Sequence, residues 1–248
     1  MNITHPGFQV PSPLHLPEDE VHVWRLDLEA MQSGHERWLK LLSPDELVRA
    51  SRFHFDRDRQ RYAAGRAWLR NILAAYTGRD PAELKFSYSR KEKPSLNQPE
   101  NNPVMFNVSH SGSVALLGFT RRREIGVDIE EIRANSDLDA IARRFFSGCE
   151  QQDFFPLPAE KRVPAFFRIW TRKEAYIKAT GDGLSLPLSQ FDVSLDPGSS
   201  DALISTRPES TEAGRWRLME IGAGTGYAAA LCVRGRDWKL RSWTETSD

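Results

Sequence analysis

Three carboxylates in the second half of the sequence have the residue types and spacing to bind a divalent cation. Asp128 and Glu130 stand two apart in GVDIE, so the alternation of a β-strand directs both to one face. Gly126, just before them, permits close approach of another backbone or a ligand. Glu174 lies in WTRKEAYIKATG, four residues before Lys178 on a predicted helix. Oxygen donors without Cys or His suit octahedral magnesium and not zinc. Taken separately, the two features equally fit a solvated strand face and an ordinary helical ion pair.

A second group of residues has the chemistry to bind phosphate. Ser109 and His110 lie in NVSHSG, a turn of small residues after a predicted strand, where backbone N–H groups are free to meet an anion. No nearby Asp indicates a hydrolase triad. Arg49, Arg61 and Lys93 are further cations, although each alone equally fits a solvated surface position.

The segments around these residues predict alternating strands and helices. VHVWRLDL (21–28) and REIGVDIEEI alternate like strands, whereas DRQRYAAGRAWLRNILAAYTG and PAFFRIWTRKEAYIKATG have helical periodicity and end at Thr-Gly. FNVSHSGSVALLGFT predicts a strand, a turn and then a helix or a strand. Strands after about residue 190 are expected to complete a second sheet.

The order of these landmarks is repeated after about one hundred residues. Asp-Leu-Glu at 27–29 corresponds to Asp-Ile-Glu at 128–130, and Thr77-Gly78 corresponds to Thr180-Gly181. We therefore predict an α/β (α+β) fold of two similar halves, at 21–122 and 123–248, after an extended lead-in at 1–20. The site is expected in a cleft between the halves.

Composition excludes several classes of protein. The 34 Lys and Arg residues balance the 34 Asp and Glu residues, so no overall basic charge favours nucleic acid or an anionic membrane. Two cysteines without metal-type spacing, and no long apolar stretch or signal-like N-terminus, predict a cytoplasmic protein.

Taken together, FNVSHSG, GVDIE and WTRKEAYIKATGDGLSLPL resemble the signature motifs of the phosphopantetheinyl transferases of the surfactin-synthetase-activating type. The resemblance implies two pseudo-twofold-related α/β halves with coenzyme A between them. It also implies a transferase that moves 4'-phosphopantetheine from coenzyme A to a serine of an apo acyl or peptidyl carrier protein, releasing adenosine 3',5'-bisphosphate. The implied metal is Mg²⁺, with Mn²⁺ as an alternative, and carriers of fatty acid, polyketide, nonribosomal peptide or lysine biosynthesis are all open.

The same resemblance assigns roles to individual residues. Asp128, Glu130 and Glu174 would hold the metal ion, and Glu174 would also be the general base, directly or through a bound water. Lys178 would steady the pyrophosphate, with Lys173 as a weaker contact. Coenzyme A would be held by four further residues that match the family pattern: Ser109, His110, Lys93 and Arg61.

The sequence departs from the family at two places in its first half. Glu46 stands where the surfactin type has a basic residue for the 3'-phosphate, which would transfer that contact to Arg49. Asn71 occupies the position that corresponds to Glu174, so the first half has lost its own metal site. We therefore expect one metal ion and one coenzyme A per chain, and a monomer because the two halves are fused.

Two other functions are compatible with these residues. A coenzyme A sensor would retain the fold without turnover, and a metal-dependent phosphodiesterase would hydrolyse coenzyme A without any carrier. The intact group of three acids speaks against the sensor, and cleavage of coenzyme A in the absence of a carrier would identify the phosphodiesterase.

Overall fold

The structure is a computed structural model of the 248-residue chain. It describes residues 4–5, 8–10, 13–30, 35–89, 91, 93–98, 102–133 and 137–244. None of the helices in these ranges is long and apolar enough to cross a bilayer.

The first half is built on a four-stranded sheet. Its strands, in spatial order, are β13 (Lys239–Thr244), β3 (Glu20–Asp27), β7 (Val114–Arg121) and β6 (Val104–Ser111). β3, β7 and β6 are antiparallel neighbours, whereas β13 is parallel to β3. The predicted strand at 21–28 is confirmed by β3, and the undecided segment at 114–121 is strand β7. The predicted turn at Ser109 and His110 is wrong, because both residues lie within β6 and pair with β7.

The second half is built on a three-stranded antiparallel sheet. Its spatial order is β11 (Trp216–Glu220), β12 (Tyr227–Arg234) and β8 (Ile125–Glu131), and β8 contains Asp128 and Glu130. Three small two-stranded sheets complete the described strands: β1 (Thr4–His5) with β2 (Phe8–Gln9), β4 (Phe86–Tyr88) with β5 (Pro94–Leu96), and β9 (Phe191–Val193) with β10 (Leu203–Thr206).

Each half contains one long helix. α3 (Asp56–Thr77) and α6 (Ala159–Thr180) both have 22 residues, and both end at a glycine with positive φ, Gly78 and Gly181. The shorter helices are α1 (His35–Leu39), α2 (Pro44–Ser51), α4 (Leu138–Phe145) and α5 (Gly148–Phe154). Equal lengths and matching ends agree with the predicted duplication.

The buried apolar residues form three clusters. The first lies between α3 and the four-stranded sheet, and the second lies around α6 and the outer side of the three-stranded sheet. The third cluster combines Val21, Leu116, Val127 and Leu231, which come from both sheets. The two halves therefore share apolar core.

Two expectations from the sequence need correction. The segment at 239–244 does not complete the second sheet, because it pairs with β3 of the first sheet, from Glu20 opposite Lys239 onward. The lead-in at 1–20 is not wholly irregular, because β1 and β2 pair within it and Glu20 begins β3.

Candidate active site

The three predicted acids lie where strand β8 meets helix α6. Asp128 and Glu130 project from β8, and Glu174 projects from α6. The helix approaches the strand at Gly126, where a Cβ atom would lie 2.1 Å from the Ala175 carbonyl oxygen. Only glycine permits this close packing, which the sequence had indicated as close approach of another backbone.

Asp128 is held by one cation and one hydroxyl group. Its Oδ1 atom accepts hydrogen bonds from Lys178 Nζ at 2.6 Å and from Ser109 Oγ at 2.9 Å. Lys178 Nζ also donates to Ser109 Oγ at 3.0 Å. Lys178 therefore pairs with Asp128 across to the strand, and not with Glu174 along the helix.

The three carboxyl groups share a site with excess negative charge. Burial raises the pKa of each, and the negative charge of Asp128 raises the pKa values of Glu130 and Glu174 further. The positive charge of Lys178 lowers the pKa of each acid, but the pKa of each stays above its ordinary value. Binding of a further cation would stabilise the ionised forms of these acids.

One atom is well placed to take part in that binding. Asp128 is 2% exposed, and its Oδ2 atom is buried without a hydrogen-bond partner among the described residues. An unpaired buried carboxylate oxygen costs free energy that a cation would recover. In the described ranges, no three His, Cys, Asp or Glu side chains yet converge as they would around an ion. The donor set fits a hard divalent cation, which would have to draw these side chains together.

A cavity of about 490 Å³ is lined mostly by residues of the first half. It is lined by three of the predicted coenzyme-binding residues, Arg49, Arg61 and His110. Partial enclosure by the neighbouring residues lowers the pKa of His110, although the residue is still accessible to solvent, and the positive charges of Lys178 and Arg61 lower it further. Arg61 is also paired with Glu29. Aromatic rings of Phe53, Tyr62 and Tyr88, together with Arg66, form further parts of the wall.

Strand β6 connects the cavity with the acids. Val108 and His110 line the cavity, whereas the alternate residues Ser109 and Ser111 donate hydrogen bonds to Asp128 and Glu130. This arrangement follows from the strand period of two. The sequence analysis missed Ser111 and Arg66, although the serine stands two residues after Ser109 in the same motif.

Two predicted contacts with coenzyme A are directed elsewhere. Lys93 Nζ donates to the carbonyl oxygen of Lys178 and lies 3.3 Å from that of Ala179, at the end of α6. Its positive charge thus stabilises the negative end of the helix dipole. Lys93 therefore joins the two halves, and we do not retain it as a direct phosphate ligand.

Lys173 requires the larger correction. Its side chain is fully buried, its Nζ atom lies 2.8 Å from Glu150 Oε1, and it donates to the carbonyl oxygens of Leu188 and Phe191. All three ammonium protons are thus used inside the second half, so we do not retain Lys173 as a pyrophosphate ligand. Glu150, left outside the predicted site, is the buried partner of Lys173.

Glu46 has the corresponding role in the first half. It is 1% exposed, pairs with Arg66 and Arg70, and accepts a hydrogen bond from Ser43 N as part of a helix-capping box. Its carboxylate therefore does not face the cavity as a repulsive charge. Arg49, one turn further along α2, lines the cavity, and its contact with the 3'-phosphate stays a prediction.

Comparisons with known proteins match both halves of the chain. Residues 28–120 match the family described as "4'-phosphopantetheinyl transferase, N-terminal", and residues 124–232 match the "4'-phosphopantetheinyl transferase superfamily". The chain is 39% identical to the 4'-phosphopantetheinyl transferase HetI of Nostoc sp., over 97% of this chain and 99% of that protein. It is 31% identical to the 4'-phosphopantetheinyl transferase Sfp of Bacillus subtilis, over 86% and 91% of the two chains. A human relative, L-aminoadipate-semialdehyde dehydrogenase-phosphopantetheinyl transferase, is 27% identical over 75% of this chain and 64% of its own length.

Proposed function

Because this chain belongs to the 4'-phosphopantetheinyl transferase family, we propose that the cleft between β6, β8 and α6 is where it performs that reaction. The enzyme transfers the phosphopantetheine arm of coenzyme A to a serine of an apo carrier protein. The other product is adenosine 3',5'-bisphosphate. The observation that carries the assignment is that one strand, β6, lines a cavity containing cations with alternate residues and donates hydrogen bonds to two of the three acids with the residues between them.

The nucleotide part of coenzyme A belongs in the cavity of the first half. Arg49, Arg61 and His110 supply positive charge and hydrogen-bond donors for its phosphates, while the aromatic rings supply apolar surface for its base. The low pKa of His110 lets a bound phosphate recover positive charge on the ring. The pyrophosphate then lies towards the acids, where Lys178 is the nearest cation.

The residues Asp128, Glu130 and Glu174 are proposed to hold Mg²⁺. The unpartnered Oδ2 atom of Asp128 and the raised pKa values of all three acids support this choice. When bound, the ion would neutralise charge on the pyrophosphate as the phosphoryl group is transferred. Mn²⁺ has similar ligand preferences and remains the alternative.

Glu174 is proposed as the general base. Its pKa is raised by burial and by Asp128, which makes it a stronger base, and it has no hydrogen-bond partner among the described residues. The carrier serine oxygen forms a bond with the phosphorus that bears the pantetheine arm, and its proton passes to Glu174. The phosphorus–oxygen bond to the adenosine bisphosphate breaks, and Lys178 steadies the negative charge that leaves with it.

Mass spectrometry of carrier proteins tests this reaction. The enzyme is incubated with coenzyme A and a panel of apo carriers in parallel reactions, one with Mg²⁺ and one with a chelator added at the start, and each carrier is weighed before and after the reaction. We expect one phosphopantetheine per carrier, and no gain after chelation. Cleavage of coenzyme A without a carrier would instead favour the phosphodiesterase, and binding without any reaction would favour the sensor.

Asp128→Asn tests the assignment of the acids. The variant keeps the shape of the side chain but removes the charge that Lys178 and the cation need, so transfer should fall at least 100-fold. Asp153→Asn is the matched control, because Asp153 is an exposed acid on α5, which carries none of the site residues named above. Circular dichroism checks the fold of both variants, and near-normal transfer by folded Asp128→Asn would refute the metal assignment.

Several finer expectations remain part of this proposal. They are one coenzyme A and one metal ion per chain, a monomer, a cytoplasmic location, no nucleic-acid or membrane partner, and division of the chain at 1–20, 21–122 and 123–248. Two equivalent coenzyme A sites in a titration would contradict the single site per chain. A dimer by light scattering would contradict the monomer. The panel of carriers identifies the pathway served.

A further inference from the structure

Strands β6 and β8 are joined through side chains. Asn107 Oδ1 accepts a hydrogen bond from Val127 N at 2.9 Å, and Ser111 Oγ accepts one from Glu131 N at 3.0 Å. Ser109 Oγ lies 3.4 Å from Ile129 N, between these two contacts. The partners advance together along both strands, so the strands run in the same direction. These contacts of Asn107, Ser109 and Ser111 with the backbone of β8, here called the joint, connect the first half with the strand that carries Asp128 and Glu130.

Ser111 contacts a carboxylate as well as the backbone of β8. A hydroxyl group has one proton to donate and two lone pairs that accept. Ser111 Oγ accepts from Glu131 N, and it donates its proton to Glu130 Oε2 at 2.9 Å. The hydroxyl therefore fixes both the backbone next to Glu130 and one oxygen of its carboxylate. Asn107 makes only the backbone contact of this kind.

The turn after Ser111 fixes the position of the Ser111 backbone. Gly112 has φ 57°, and a Cβ atom there would lie 2.4 Å from Glu131 Oε2 and 2.8 Å from the hydroxyl oxygen of Tyr227. The positive φ favours glycine here, and a larger residue would also displace the end of the Glu131 side chain. The turn is packed directly against the end of β8, so Ser111 has a fixed position relative to Glu130.

We infer that Ser111 is a positioning residue that sets the orientation of the Glu130 carboxylate for cation binding. The first half thereby controls the geometry of acids that belong to the second half. This inference rests on the proposed function, because it requires that Glu130 bind the cation. Orientation of a metal-binding carboxylate by a neighbouring hydrogen bond is commonly worth 10–100-fold in metal affinity.

Binding of Mn²⁺ tests the inference apart from catalysis. The whole chain is titrated with Mn²⁺ in the presence of coenzyme A and without a carrier, and free Mn²⁺ is followed by its solution EPR signal. Ser111→Ala should raise the Mn²⁺ dissociation constant by about 10-fold or more. Ser111→Thr keeps the hydroxyl and suits a strand, so it should restore most of the affinity. Transfer by Ser111→Ala should also recover at high Mg²⁺, which a general loss of folding would not produce.

Two controls keep the result interpretable. Ser113→Ala makes the same chemical change two residues further on, where the hydroxyl lies 3.4 Å from the Tyr227 hydroxyl and, in the part of the chain that the structure describes, has no hydrogen bond to a carboxylate. Its Mn²⁺ affinity should equal that of the wild type. Asn107→Ala removes a contact of the joint that touches no acid. If it weakens Mn²⁺ binding as much as Ser111→Ala, the inference is overturned.

The outcomes also separate this inference from the proposed function. If the wild-type protein binds no Mn²⁺, the assignment of the acids fails. If the wild type binds Mn²⁺ and folded Ser111→Ala binds it equally well, only the role of Ser111 fails.

Discussion

Glu46 is a buried carboxylate that interacts with two arginines of helix α3. Arg66 Nε and Arg70 Nε each donate to it at 2.7 Å, and Arg70 is itself fully buried. Burial raises the pKa of Glu46, but Arg66, the Ser43 N–H group and Arg70 outweigh it and lower the pKa below its ordinary value. The pair therefore depends on the ionised form of Glu46.

Glu46→Gln should lower the free energy of unfolding by about 3 kcal/mol, because it leaves the buried charge of Arg70 without a counter-ion. Urea unfolding measures this difference. Asp45→Asn is the control, since Asp45 is the exposed neighbouring acid, and it should cost much less. Equal losses in the two variants would show that the buried pair does not stabilise the fold.

The same residue gives a dependence of stability on pH. A lowered pKa in the folded state means that the contribution of Glu46 is complete above its unfolded pKa and is lost as pH falls through the folded one. Stability of the wild type should therefore decline below about pH 4.5, where the unfolded carboxyl begins to take up protons. Glu46→Gln should show a shallower decline.

The sequence predicted most acids and cations of the site but not the direction of every side chain. The family resemblance placed Lys173, which precedes Glu174 on the predicted helix, at the pyrophosphate as a weaker contact than Lys178. In the structure α6 is buried on opposite sides, and Lys173 is compensated by Glu150, 23 residues earlier. Local periodicity contains no information about such a distant partner.

At the level of secondary structure, the contact between β8 and α6 is tightest at Gly126. Gly126→Ala would place a methyl group against the Ala175 carbonyl and 2.4 Å from Ala179 N, both backbone atoms that cannot rotate away. We expect a loss of about 3 kcal/mol in the free energy of unfolding. Transfer should also fall, because the helix that carries Glu174 must move away from Asp128.

Thermal unfolding and the transfer assay measure these two effects. Gly148→Ala is the matched control, because Gly148 lies in helix α5 with open space around its Cβ position. That variant should be neutral or slightly stabilising, since alanine favours a helix over glycine. If Gly126→Ala were as stable as the wild type, the close packing of α6 against β8 would be contradicted.

Periodicity predicted the long helices, and it predicted strands β3 and β8, in whose sequences apolar and polar residues alternate. It left the segment at 114–121 undecided, because every residue from Val114 to Thr120 is buried and no alternation remains. It also could not place β13, whose parallel partner lies more than 200 residues away in the sequence. Pairing over that distance depends on the whole fold and has no local pattern.

For the whole molecule, the shared apolar cluster predicts how the protein unfolds. Residues of both sheets pack into one cluster, in which Val21 and Val23 of β3 lie with Val127 of β8 and Leu231 of β12. Separating the halves would expose this surface, so calorimetry should show one cooperative transition. Two well-resolved transitions would mean that the halves unfold independently.

The position of β13 has a consequence for synthesis of the chain. β3 leaves the ribosome early, but its parallel neighbour is made about 220 residues later. At typical translation rates, this delay is on the order of ten seconds or more. During that time one side of β3 has unpaired backbone groups, which attract chaperones and other nascent chains. Products of premature termination would keep that open edge permanently, which makes them natural targets for proteolytic quality control.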